Sequence, residues 1–436
     1  MPKKCFVPFV VFAVASFLLS ASAVLRAWDR GNLQDYKDRR AQLVSQMGDG
    51  AIVLFGYTEA DTASSVTRFK QNEAFYYLTG WNEPGAMMLL TKDRETLYIP
   101  RRDPATERWN GPKLFPESPD AVTRTGFPTV RGTHALHPDL LEALKTFPKI
   151  YTELTPQPES GEHAFVADVV GKLKMMAPLA TLQDVRPTLQ TMRAVKSAGE
   201  LALIRKATEG SMDAHLAVMK ALKPGMWEYE IGALLKYEWD RRGAEWPSYP
   251  PIVGSGFFST VLHYSANDRR TEPGDLVVID AAGSYSGYTS DITRTLPVNG
   301  RFTARQREIY EIVHGAQAAA IAAAKPGAIL GRGTGTLYEV AYNYINTHGK
   351  DLTGEPLGKY FIHGLGHSVG LNVHDPMDYT APLAPGMVVT IEPGIYIPDE
   401  KLGVRIEDLI LITKDGNEVL TRRLPNEPGA VERLMN

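Results

Sequence analysis

Short apolar runs broken by turn residues dominate the chain from residue 39 to about residue 187. Ala51–Phe55 (AIVLF), residues 86–90 (AMMLL) and residues 96–99 (TLYI) have the length and composition of buried strands. Residues 140–144 and 165–176 carry the spacing of helices. An α/β domain of ordinary size is therefore predicted over residues 30–187, with a boundary at Arg186-Pro187. Just beyond it, Ser197-Ala198-Gly199-Glu200 has capping-box spacing and opens a helix reaching Leu222. Lys223-Pro224-Gly225 ends that helix and precedes another, which closes at Arg242-Gly243. Lys325-Pro326-Gly327 and His348-Gly349 repeat the same punctuation. Two helix pairs, each followed by strands, predict a duplicated α+β architecture over residues 188–436.

A length of 436 residues exceeds what one hydrophobic core usually supports, which agrees with two domains. The net charge of -3 and the absence of a basic patch exclude nucleic acid as a partner. The N-terminus departs from this soluble pattern. Lys3 and Lys4 precede an apolar run over residues 6–19, and Ser20-Ala21-Ser22-Ala23 follows. That is the order of a secretory signal, cut after Ala23, so residues 1–23 would be removed and the protein exported to a periplasmic or extracellular space. No stable membrane association would then remain; an uncleaved anchor is the competing reading. Cys5 is the one cysteine. Its loss with the signal would exclude disulfides, thiolate catalysis and cysteine-ligated zinc.

The chemistry concentrates in three later segments. Residues 276–279 are apolar and run into Asp280; a turn-rich stretch follows, and residues 288–295 read as a second strand. A hairpin turning at Tyr285-Ser286 would set Asp280 opposite Asp291. Like charges so placed repel unless a cation or a shared proton intervenes. Residues 387–397 and 404–413 repeat the pattern around a turn at 398–403, setting Glu392 opposite Glu407. Arg405 lies two residues from Glu407, on the same face, where it could hold a carboxylate. Between the hairpins, residues 361–375 place His363, His367 and His374 in a glycine-rich segment. Four carboxylates and one imidazole make a hard, oxygen-rich donor set that suits Mn²⁺, with Co²⁺, Fe²⁺ and Zn²⁺ as alternatives.

These residues resemble a known family. Residues 280–297 (DAAGSYSGYTSDITRTLP), 363–375 (HGLGHSVGLNVHD), 390–397 (TIEPGIYI) and 404–408 (VRIED) are similar to the pita-bread metallopeptidases, in the aminopeptidase P and prolidase branch. Residues 68–85 (RFKQNEAFYYLTGWNEPG) and 103–111 (DPATERWNG) resemble the aminopeptidase P N-terminal domain. The resemblance implies an α/β N-terminal domain followed by an α+β pita-bread catalytic domain holding two divalent metal ions. Asp280 and Asp291 would bind one ion and His367 and Glu392 the other, with Asp291 and Glu407 bridging. His263, His363 and His374 would act on substrate, as imidazoles that hold a carbonyl or donate to a developing oxyanion. The implied reaction removes the first residue from peptides with proline second, Glu392 passing a proton to the departing nitrogen. A homo-oligomer is implied too, with Trp109 reaching a neighbouring subunit's pocket.

Two departures stand out. Ala281-Ala282-Gly283 follows the first aspartate where the family commonly has Ala-Gly, and residues 378–385 (DYTAPLAP) contain no arginine. Dipeptide-cleaving relatives use an arginine there to grip the substrate's carboxylate, so its absence favours longer peptides. The rival readings are a proline dipeptidase, a metal-free binding protein of the same fold and a creatinase-like hydrolase.

Overall fold

The computed structural model describes residues 31–61, 68–154 and 163–436; the candidate signal, including Cys5, lies outside the described residues. The first half is built on Ala51–Phe55 (β1), Met87–Thr91 (β2), Arg94–Ile99 (β3), Thr129–Gly132 (β4), Lys149–Thr152 (β5) and Thr181–Asp184 (β6). They form one sheet in the order β4-β3-β2-β1-β5-β6. β1 lies antiparallel to β2 and parallel to β5, so the sheet is mixed. β3 starts before the apolar run expected for it, because Arg94 and Glu95 pair with Thr91 and Leu90.

The second half opens as the capping-box spacing predicts. The Ser197 hydroxyl accepts from the Glu200 amide, and the Glu200 carboxylate accepts from the Ser197 amide. Helix Ala198–Ala221 then packs on Glu228–Asp240, and Ala304–Ala323 packs on Leu337–His348. Both Lys-Pro-Gly turns put glycine at φ +90°, at Gly225 and Gly327, a backbone that side chains disfavour. Ile252–Ser255 (β7), Leu276–Asp280 (β8) and Thr293–Pro297 (β9) form an antiparallel sheet. Val388–Ile391 (β10), Gly394–Ile397 (β11), Leu402–Arg405 (β12), Asp408–Ile412 (β13) and Asn417–Val419 (β14) complete the fold.

The halves share a core. Phe75 and Leu78 from the first pack in one apolar cluster with Leu203, Val369, Leu371, Val388 and Leu409 from the second. Each such side chain contributes roughly 1.5–3 kcal/mol when fully buried. Among the described residues no helix is long and apolar enough to cross a membrane.

The two hairpins answer the expected registers differently. β8 pairs with β9 so that Asp280 faces Thr293, not Asp291, and the second strand begins at Thr293 rather than at residue 288. The turn is centred one residue further on than expected, at Ser286-Gly287, with both residues at positive φ (50° and 85°). A two-residue hairpin turn of this type demands that backbone, and glycine at the second position supplies it. The second hairpin keeps the expected register. Gly394 pairs with Arg405 and Ile391 with Asp408, which leaves Glu392 level with Glu407. The ladder breaks between those pairs, where Pro393 has no amide hydrogen to give. The buried Gln317 amide fills the break, donating to the Ile391 and Ile406 carbonyls (both 3.0 Å).

Candidate metal centre

Nine of the residues singled out in the sequence line one cavity of about 880 Å³: His263, Asp280, Asp291, His363, His367, His374, Glu392, Arg405 and Glu407; Trp109 does not. Asp280 and Asp291 need no direct cross-strand pairing to meet. The Tyr249 hydroxyl stands between them, 2.5 Å from an oxygen of each. The two hairpins are tied together by the Glu407 amide, which donates to the Thr293 carbonyl (3.1 Å), and by the Thr293 hydroxyl, which donates to the Glu407 carboxylate (2.7 Å). Asp291, His367 and Glu407 offer ligand atoms that lie within 4.8 Å of one another. His367 Nε2 is 3.3 Å from Asp291 and 3.4 Å from Glu392.

Arg405 does hold a carboxylate, from the other hairpin: its guanidinium is 2.6 Å from Asp280 and also donates to the Tyr396 hydroxyl (2.9 Å). That hydroxyl is 2.8 Å from His363 Nε2, while His363 Nδ1 bonds the Gly364 carbonyl (2.7 Å). A carbonyl accepts only, so the proton sits on Nδ1 and Nε2 accepts from Tyr396. Both ring nitrogens of His363 are therefore engaged inside the protein. His263 and His374 stand at the exposed rim. The His374 ring meets the His367 ring edge-on at 4.3 Å.

The histidine segment is anchored from both halves. Asp375 is buried and pairs with Arg193 (2.5 Å) and Lys196 (3.2 Å). Arg193 also reaches Glu73 (2.9 Å), and Glu73 accepts from the Asn372 side chain (2.8 Å). Lys196 donates to the Ser368 hydroxyl (3.1 Å), beside His367. Behind the carboxylates, the fully buried Arg294 donates to the Glu407, Leu424 and Pro425 carbonyls and pairs with Asp408 at 2.7 Å.

Without a cation, the cluster is held at an electrostatic disadvantage. Burial pushes the Glu392 carboxyl up to about 7, and Asp291 adds to the push. Burial, then Asp291, Glu392 and Asp280, hold Glu407 well above the carboxylate range. Burial also raises Asp280, against the pull of Arg405. Burial opposes a charged His367, yet Asp291 and Glu392 outweigh it and raise the imidazole to about 9. Buried like charges of this kind are relieved by protons or by cations. The donor set of carboxylates and one imidazole fits hard divalent ions.

Sequence reasoning missed Tyr249, Gln317 and the Glu73–Arg193–Lys196–Asp375 network. A lone tyrosine after Pro247-Ser248 carries no signal. Arg193 and Lys196 lie just beyond the domain boundary, and two cations beside such a joint are the signal that could have marked a buried partner.

Comparison with known proteins places the chain. Residues 202–414 match the model for metallopeptidase family M24, and residues 36–151 match the aminopeptidase P N-terminal domain. The chain is 36% identical to Xaa-Pro aminopeptidase of Escherichia coli, over 92% of this chain and 97% of that protein. It is also 36% identical to Xaa-Pro dipeptidase of Pyrococcus horikoshii, over 81% of this chain and 91% of that one. The solved structure of E. coli aminopeptidase P with the inhibitor Pro-Leu superposes with a TM-score of 0.81 at 34% identity, covering 93% of this chain and 99% of that one.

Proposed function

The chain belongs to metallopeptidase family M24, as an aminopeptidase P N-terminal domain followed by the catalytic domain, and on that premise we propose how its site works. It is a metallo-aminopeptidase that removes the N-terminal residue from peptides with proline in second position. The observation that carries the site assignment is the convergence of Asp280, Asp291, His367, Glu392 and Glu407 in one cavity, where burial and neighbouring carboxylates raise Asp280, Glu392 and Glu407.

In this reading Asp280 and Asp291 would hold one divalent ion and His367 and Glu392 the other, with Asp291 and Glu407 serving both. Bound ions of this kind supply Lewis acidity and bring the pKa of water towards neutrality. Arg405 orients Asp280 and opposes the burial that raises its carboxyl. Glu392 exchanges a proton with the departing proline nitrogen. His263 and His374, at the rim, hold the scissile carbonyl and oppose its developing negative charge. His363 braces Tyr396 and, through it, Arg405. Ile252, Leu262, Val373 and Tyr379 line the same cavity and offer an apolar wall to the proline ring.

Mn²⁺ is the metal we assign, on the oxygen-rich donor set. We further assign export after cleavage at Ala23 and a homo-oligomer in which Trp109, 89% exposed, reaches a neighbouring pocket. The dipeptidase reading is supported by the P. horikoshii relative. Against it, Arg405 is the one guanidinium among the described residues lining the cavity, and Asp280 engages it.

The test is metal analysis of the mature protein coupled to a peptide panel. Cleavage of Xaa-Pro tripeptides and longer chains is expected; exclusive cleavage of Gly-Pro would overturn the aminopeptidase assignment. Asp291→Ala should lose metal and activity together, and full activity in that variant would refute the site.

A further inference from the structure

The β8–β9 ladder holds Asp280, which faces Thr293, but ends before it reaches Asp291. After the Ala281 amide bonds the Ile292 carbonyl (3.1 Å), the strands part, and they meet again only where Tyr285 pairs with Tyr288. Backbone groups within this gap bond elsewhere. The Ala282 carbonyl accepts from the Ser248 amide (2.8 Å), and the Thr289 amide donates to the Gly370 carbonyl (2.8 Å). Asp280 stands at the mouth of the gap and Asp291 inside it, so beyond the Ala281–Ile292 bond and the shared Tyr249 hydroxyl their separation depends on what grips the gap from outside.

One face of the helix Ala198–Ala221 does so. Thr208, Ser211 and His215 are spaced by three and four residues and so share a face. Each is at most 1% exposed. The Ser211 hydroxyl accepts from the Gly283 amide (3.0 Å), the Thr208 hydroxyl bonds the Ser290 hydroxyl (3.0 Å), and His215 Nε2 donates to the Ala281 carbonyl (2.9 Å). Ala214, Val218 and Met219 nearby on the helix enter an apolar cluster, where polar groups are costly unless bonded. The bonds made are specific in place. His215 holds the residue that follows Asp280, and Thr208 holds the residue that precedes Asp291.

We propose that Thr208, Ser211 and His215 form a positioning stripe that sets the separation of Asp280 and Asp291, and through it the affinity of that pair for a divalent cation. This inference rests on the metal-centre reading above. His215→Leu keeps the volume and removes the donor; His215→Gln restores an N–H of similar reach; Thr208→Val removes one hydroxyl. The measurements are Mn²⁺ affinity by titration, kcat and KM, and hydrogen–deuterium exchange over residues 281–292 of the metal-free protein.

Loss of outer hydrogen-bond partners typically weakens metal binding by about 10–100-fold, and His215→Leu should fall in that range. Its kcat should fall more than its KM rises, and exchange across the gap should quicken. Thr208→Val should show a smaller loss, and His215→Gln should recover most of the affinity. Wild-type affinity and exchange in His215→Leu would overturn the proposal, as would equal impairment in His215→Gln. If His215→Leu does not fold, Thr208→Val carries the same comparison. If the wild-type protein binds none of Mn²⁺, Co²⁺, Fe²⁺ and Zn²⁺, the metal-centre reading fails, while the exchange data still decide whether the stripe holds the gap.

Discussion

Asp375→Asn tests how firmly the first half of the chain holds the histidine segment. The carboxylate and the Lys196 ammonium are 2% and 0% exposed, so water shields neither charge. The asparagine keeps the size of the side chain and removes its charge. Arg193 retains Glu73 at 2.9 Å, but Lys196 is left buried without a carboxylate. Breaking a buried pair in this way costs about 3–5 kcal/mol, and the surviving Arg193–Glu73 pair argues for the lower end. For a domain of this size each kcal/mol moves the melting temperature by about 2–4 °C, so a fall of about 6–12 °C is expected by calorimetry at pH 7. Adding Lys196→Met removes the orphaned charge and should recover about 1 kcal/mol or more. KM should rise more than kcat falls, because Asp375 neighbours His374 and accepts from the Asn372 amide. A variant melting within about 2 °C of wild type, or a double variant no more stable than Asp375→Asn, would refute the reasoning.

The pH dependence of that difference has a definite sign. Burial works against the charged form of Asp375, yet Arg193 and Lys196 outweigh it and hold its carboxyl below the ordinary 3.8. A depressed folded pKa gives stability that is present above the unfolded value and lost as pH falls through the folded one. The gap between wild type and Asp375→Asn should be complete at pH 7 and close in acid; a gap that widens in acid contradicts the assignment. Mn²⁺ binding should strengthen with rising pH and release protons, because Glu392 titrates near 7 and His367 near 9 before metal is added. An indicator dye reads this, and zero release at pH 7 would count against the site. Gln317→Leu leaves the buried Ile406 carbonyl, opposite Pro393, without a donor, at about 1–3 kcal/mol, and should lower both melting temperature and metal affinity. Unchanged affinity would mean that Glu392 and Glu407 do not depend on that bridge. Gly366→Ala would place a Cβ 2.0 Å from the Thr390 carbonyl oxygen, so the neighbouring His367 must shift. Metal content after gel filtration should drop, and full occupancy would show that the backbone yields.

The sequence carried the site further than it carried the geometry. Hydrophobic patterning located the strand that ends at Asp280 and the apolar run 387–397 that contains Glu392, which the structure divides into β10 and β11 at Glu392-Pro393. The Glu392–Glu407 register was legible because a single turn lies midway between the two residues. The Asp280–Asp291 register was not, because Ser286-Gly287 takes the positive-φ positions that a centring on Tyr285-Ser286 overlooks. Those aspartates meet through tertiary contacts instead. Thr208, Ser211 and His215 carry no sequence signal that sets them apart within their helix, and only the packed structure shows that they face inward. The repeated Lys-Pro-Gly turns, by contrast, report local backbone demands and were legible directly.

Arg294 gives the site an order of assembly. Its guanidinium spans the Glu407 backbone, Asp408 and the later Leu424-Pro425 carbonyls. During vectorial synthesis the aspartates emerge first, the histidine segment next and the glutamates last, with the Leu424-Pro425 segment still to come. Until that segment arrives, a buried cation lacks two of its acceptors, and the glutamate side of the cavity lacks its backing. A nascent chain that already displays Asp280 and Asp291 therefore has no finished cage in which to trap metal. On the metal-centre reading proposed above, competence to bind cations would come late in synthesis, once the Leu424-Pro425 acceptors of Arg294 are made.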